Sequence, residues 1–326
     1  MELWFQNYFD DGVVFVVKNI FIGSKSGTDP AQIAQRIEIQ LRLEKELIHP
    51  NISFRYIEIQ PPGNLNRDLM IEERRQVEYA LENNFTIGFE FPHIWSGRDI
   101  DPCVVERSED ILEIAQIARN VGASYIFINP GDIGDSNFNI QRWNNAKEAH
   151  LNILQQIKEI HPVVGIENTN PIRHLESRKV YGFFGMFPDD LFLFDFVVLD
   201  IAHAQFTVNH FQAQEKISSI FALEQIHNRW KLNLHDYTAI LKDKIQVVHV
   251  ANAVGLGDLD KEGLVMSEGE ADCNVFITDI LKNRSTPIRF VAEPSNIPYG
   301  IDFHALGDIM YSEEKEIFSA CLAGLK

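Results

Sequence analysis

Three classes of protein are made improbable by what this 326-residue sequence lacks. It has three cysteines, Cys103, Cys273 and Cys321. They are odd in number, far apart and in no metal-ligand spacing, so they read as reduced thiols and argue against a disulfide scaffold. It has no apolar run long enough to span a bilayer; the greasiest region, 181–202, is broken by Pro188, Asp189, Asp190 and Asp195. It has no surplus of basic charge: 29 Lys and Arg stand against 47 Asp and Glu, a net charge of −18. Extended contact with nucleic acid is therefore disfavoured. The opening "MELWFQNYFDDG" has neither a basic stretch nor an apolar core of signal-peptide type, which gives the expectation of a cytoplasmic protein without membrane association. No G-x-G-x-x-G follows the first strand pattern, and no repeat or low-complexity linker is visible.

What remains is an alternation of short apolar runs and amphipathic stretches. Around 108–128, Ser108 reads as an N-cap, with Glu109 and Asp110 in the first turn. Ile111, Leu112, Ala115, Ala118 and Val121 recur at helical spacing, Gly122 stops the helix, and "SYIFIN" reads as a buried strand. "NIFIGS" followed by Asp29-Pro30 repeats the rhythm, with an apolar face from Ile33, Ile37 and Leu41 beside Ile39, Leu43 and Leu47. Further helices are predicted over 70–83, 144–160, within 211–241 and near 312–324. Strands begin near 19, 52, 85, 124, 162, 195, 245 and 288. Eight alternating units predict a (β/α)8 TIM barrel, which takes about 250 residues. A doubly wound open sheet is the rival. We expect one domain over 1–326, with an N-terminal extension and a long loop near 251–275.

Catalytic groups of such barrels sit at the C-terminal ends of the strands. Here the strand ends carry Glu58, Asn129, Glu167, Asp200, His249 and Glu293, and the third strand leads to His93. Glu167, Asp200, His249 and Glu293 form a donor set suited to a divalent ion of Mn, Mg, Co or Zn type. Taken singly, each carboxylate could instead cap the next helix. His203 lies three residues past Asp200 and reads as a group facing the same mouth, or as one covering the edge of the core.

These segments resemble the xylose isomerase-like TIM-barrel superfamily, which includes sugar isomerases and epimerases and endonuclease IV. The resemblance runs from "NIFIGSKSG" to "FVAEPS" and rests on "GIENTNP", "VVLDIAHA", "VVHVANA", "MSEGEADCN" and "FVAEPS". The spacing 200 − 167 = 33 and the D-x-x-H step resemble the epimerase branch. The resemblance implies that Glu167, Asp200, His249 and Glu293 hold a divalent metal. It also implies that Glu167 and Glu293 serve as acid and base through an enediolate, and that His203 binds substrate oxygens. A small sugar, polyol or keto compound is the implied substrate, and a homo-oligomer is compatible with it. The nuclease branch carries extra histidines for three zinc ions. His93 could match one; Asn129 stands where that branch has histidine, and Asp260-Lys261-Glu262 has Glu262 where an Asp-x-His is expected. Those departures leave His93, Asn129, His203, Glu58, Asp260 and Glu262 as second-metal or substrate groups. An endonuclease IV-like phosphodiesterase and a catalytically silent binding barrel are the alternative functions.

Overall fold

The computed structural model describes residues 20–325, apart from 28, 62–68, 93, 96–97, 100–107, 131, 134–139, 176–177, 183, 214–231, 258–260, 283, 296–297 and 301–302. Eight parallel strands follow one another around a closed barrel: β1 (Ile20–Ser26), β2 (Tyr56–Ile59), β3 (Thr86–Glu90), β4 (Tyr125–Ile128), β5 (Val164–Glu167), β6 (Val197–Asp200), β7 (Ile245–Val250) and β8 (Ile288–Ala292). Pairing of Ile20 through Ser24 with Ile288 through Ala292 closes β8 onto β1. A two-residue strand, Ile52–Ser53, precedes β2 and also pairs with β1.

The helices lie outside. Helix α1 (Pro30–Glu46) is started by Asp29, whose side chain accepts from Ala31 N at 2.7 Å, with Pro30 in the first turn. It buries Ile33, Ile37 and Leu43, about 1.5–3 kcal/mol each. Next come α2 (Leu69–Glu82), α3 (Ser108–Asn120) and α4 (Ile140–Ile160). Gly122, at φ 81°, turns the chain out of α3 in the left-handed conformation a helix end favours.

The second half departs from the sequence reading in three places. Helix α5 (Ile201–Gln212) starts immediately after Asp200 rather than near 211. Then come α6 (Leu234–Leu241) and α7 (Cys273–Lys282); the expected loop ends at α7, a helix the pattern did not reveal. Within that loop, Asn252–Ala253 pairs antiparallel with Glu262–Leu264. The last helix, α8 (Phe303–Gly324), begins well before 312. Cys273 and Cys321 are buried free thiols. No helix among the described residues is long and apolar enough to cross a membrane.

Alternation along the strands divides the barrel interior into layers. Tyr56, Tyr125, Phe127, Val198, Val247 and Val291 form one buried apolar cluster, with Phe21 and Phe196 packed on it. Two residues further along the same strands come Glu58, Asn129, Asp200, His249 and Glu293. The polar groups therefore share one end of the barrel, above an apolar floor.

Candidate active site

Glu167, Asp200, His249 and Glu293 converge: one ligand atom from each lies within 4.8 Å of all the others. His249 Nδ1 is 2.7 Å from Glu167 Oε1, 2.7 Å from Glu293 Oε2 and 4.0 Å from Asp200 Oδ2. Asp200 serves twice. Its Oδ1 accepts from His203 N at 2.9 Å and caps α5, while Oδ2 faces the cluster. The capping role and the site role, alternatives in the sequence, coexist in one carboxylate. Asn168 fixes this strand end from β5: its Oδ1 accepts from Asp200 N at 2.6 Å and its Nδ2 donates to Asp200 O at 2.9 Å.

A divalent ion fits this donor set. Neither His249 Nδ1 nor Glu293 Oε2 makes a well-directed hydrogen bond, and both atoms are shut off from solvent. Buried polar atoms left in that state are costly, and a cation among three carboxylates and an imidazole would satisfy them. The oxygen and nitrogen donors suit Mn, Mg, Co or Zn.

Lys25, near the end of β1, was not singled out by the sequence. Its ammonium contacts Glu293 Oε1 and lies 2.5 Å from Glu90 Oε2. Glu90 is equally unexpected: β3 ends on it, three residues before His93. Gln60 Nε2 and Asn129 Nδ2 donate to Glu90 Oε1 at 2.7 and 3.1 Å, so Asn129 joins the mouth as a support for Glu90. The available signal was period-two counting, which puts Gly23 and Lys25 on one face of β1 and Gly88 and Glu90 on one face of β3. His203 Nδ1 is 2.8 Å from Asn168 O, and its Nε2 is 2.9 Å from Glu262 Oε1. Asn170 Nδ2 donates to both oxygens of Glu262 at 3.2 Å. Glu58 is fully buried behind His249, with Oε1 at 2.7 Å from Nε2, and does not border the cavity. His93 and Asp260 lie outside the described residues.

Charge and burial oppose each other at every group. Burial lowers the Lys25 ammonium pKa, but Glu293 and Glu90 outweigh it and hold it well above its ordinary value. Burial works against the His249 imidazolium, yet Glu293, Glu58 and Glu167 raise its pKa strongly. His203 is raised to about 10, with Asp200 and Glu262 overcoming burial. Burial pushes Glu90 up to about 8 and Asp200 up to about 6. Burial also opposes ionisation of Glu293, but His249 and Lys25 hold its carboxyl well below the usual range. A cavity of about 500 Å³ opens beside the cluster, bordered by Lys25, Gln60, Asp200, Glu262 and Glu293. Its size suits a small molecule.

No protein-family model matches the sequence, and no curated protein matches it. Solved structures do. A D-tagatose 3-epimerase-like protein superposes with a TM-score of 0.56 at 16% identity, over 92% of this chain and 100% of the other. A xylose isomerase domain containing protein from Salmonella typhimurium gives 0.56 at 11% identity, over 96% and 100%. The fold is that of the xylose isomerase-like (β/α)8 barrels. The IolI protein, solved with a zinc atom, has this barrel too, with a TM-score of 0.55 at 12% identity over 92% and 98%. At these identities the likeness concerns the xylose isomerase-like fold.

Proposed function

We propose that the protein is a divalent-metal-dependent isomerase or epimerase acting on a sugar or a related polyhydroxy carbonyl compound. The observation that carries this reading is the convergence of Glu167, Asp200, His249 and Glu293 beside a cavity of small-molecule size. Similar folds in a 3-epimerase-like protein, a xylose isomerase domain and a zinc-containing protein support the class. The acidic mouth and the net charge of −18 favour a small polar molecule over nucleic acid.

In this reading the four residues hold the ion. A divalent ion supplies a Lewis acid that polarises a carbonyl and steadies negative charge on neighbouring oxygens. Glu167 and Glu293 move the proton: one takes it from the carbon beside the carbonyl, and the other returns it to the enediolate. Lys25 holds Glu293 in place through its Oε1. His203, anchored at Nδ1, carries at Nε2 the proton that faces Glu262 at the cavity, and a substrate oxygen would take that proton over from Glu262.

The test is solvent exchange. D-tagatose and other ketoses are incubated with the protein in deuterated water with Mn, Co, Mg or Zn. The expected result is deuterium on the carbon beside the carbonyl, dependent on added metal. Glu167→Gln should slow it by about 10²–10⁴-fold, the usual contribution of a positioned acid or base. Protein that takes up no divalent ion, with Glu293→Gln indistinguishable from wild type, would remove the reading.

A further inference from the structure

His249 shows its two ring nitrogens to two different environments. Nδ1 faces the mouth, where Glu167 and Glu293 lie. Nε2 faces inward, where Glu58 Oε1 is 2.7 Å away. Glu58 is closed off from solvent and is not among the four residues whose ligand atoms converge. Its other oxygen is already occupied. Tyr56 and Tyr125 hydroxyls donate to Oε2 at 3.1 and 2.8 Å. Burial raises the Tyr125 pKa further above its ordinary value, so that phenol keeps its proton. Tyr125 is itself fixed by its surroundings: the Phe196 ring at 5.0 Å and the Arg289 guanidinium at 5.2 Å from its centroid.

We propose that Glu58 is a positioning residue that sets which nitrogen of His249 serves the mouth. With Oε2 committed to two phenols, Oε1 is left as an acceptor, and the group it meets is Nε2. An acceptor at Nε2 puts the ring proton there and leaves the Nδ1 lone pair for an ion, the arrangement in which a carboxylate behind a histidine orients it as a ligand. The inference rests on reading the four converging residues as a divalent-ion site. It replaces the sequence expectation that Glu58 touches a second metal or the substrate.

Zinc binding to the full chain tests it, by chelator competition on wild type, Glu58→Gln, His249→Ala and the double variant. In Glu58→Gln the phenols keep the amide oxygen, so the amide NH2 faces Nε2, makes that nitrogen the acceptor and moves the ring proton to Nδ1. Zinc affinity is expected to fall about 10- to 100-fold, with the thermal midpoint near that of wild type. In the His249→Ala background the same change should cost less than roughly twofold, since the two residues act as one unit. Adding Tyr56→Phe and Tyr125→Phe to Glu58→Gln frees the amide to turn its oxygen to Nε2 and should recover part of the affinity, which a packing defect would not do. If Glu58→Gln fails to fold, Tyr125→Phe takes its place in the cycle, with a smaller loss and the same dependence on His249. Wild-type affinity in Glu58→Gln, or an equal loss with and without His249, overturns the inference and leaves the metal reading intact. Wild-type protein that binds no zinc overturns both.

Discussion

The barrel interior holds two neighbouring layers with opposite chemistry on the same strands. In the lower layer stand Tyr56, Phe127, Val198, Val247 and Val291; one pleat above them stand Glu58, Asn129, Asp200, His249 and Glu293. One pleat along a strand is two residues, so each pair differs by the smallest step that keeps a side chain facing inward. Phe127 and the valines of the lower layer gain from burial without needing partners, while the Tyr56 hydroxyl donates to Glu58 above it. The upper layer carries carboxylates on most of its strands and remains tolerable through Lys25, His203, His249 and the asparagines that bond to it. The difference separates an apolar layer from one that gathers titratable groups at one end of the barrel.

The sharpest way to break that comparison is to move a charge down one pleat. Val198→Asp copies Asp200 onto the floor, where the neighbours are Phe127, Val247 and Val291 rather than His249 and Asn168. Phe127, Val247 and Val291 cannot pair with it, and the expected loss is about 3–5 kcal/mol, the usual cost of an uncompensated buried charge. Chemical unfolding of the variant measures it. A loss below about 1 kcal/mol would mean that the floor is as polar as the mouth, and the two-layer description would fail.

A smaller change acts on the joint between the layers. Gly88 faces inward on β3, and a Cβ there would come within 2.2 Å of the Tyr125 hydroxyl and 2.4 Å of its ring carbon. Gly88→Ala should therefore push Tyr125 away from Glu58, at about 1–3 kcal/mol for overpacking. The same variant is expected to bind zinc more weakly, because Glu58 loses a donor. Unchanged stability together with unchanged zinc affinity would separate the floor from the mouth and remove the proposed link.

The eight strands and the four converging residues were legible because each strand is a short apolar run closed by a polar group. What escaped has physical reasons. Lys25 sits in "IGSKSG", whose glycines and serines look like a turn, although alternation from Gly23 points it inward. Glu90 lies inside "FTIGFEF", where the histidine three residues later drew the reading past it. Helix α5 hid because it is buried on nearly every side, including Ile201, Ala202, Ala204, Phe206, Val208 and Phe211, so it has no amphipathic period to detect. The start of α8 was obscured by Gly307, a poor helix former that is placed against Gln35 of α1, where a Cβ would meet the amide at 2.5 Å. Whether Asp200 is a cap or a site residue could not be chosen from sequence, because it is positioned to be both.

The gentlest test compares two buried histidines. His249 sits among Glu293, Glu58 and Glu167 and is driven toward the imidazolium. His150, on α4, lies 5.1 Å from the Phe184 ring with Nδ1 at 2.7 Å from Ala146 O, and burial lowers its pKa from 6.5 to about 4. The signs follow from linkage. His150 stays neutral in the fold while the unfolded chain takes up a proton below 6.5, so its contribution is present above pH 6.5 and lost as pH falls toward 4. His249 is the reverse: its contribution in metal-free protein is present below pH 6.5 and lost as pH rises through its higher folded value. His150→Phe should therefore flatten the acid side of the stability profile between pH 6.5 and 4, by at most about 1.4 kcal/mol per pH unit. It should leave the alkaline side unchanged. Urea unfolding of metal-free protein on both sides of pH 6.5 reads both arms; an acid arm as steep as wild type would show that the imidazole of His150 is not held neutral by its apolar surroundings.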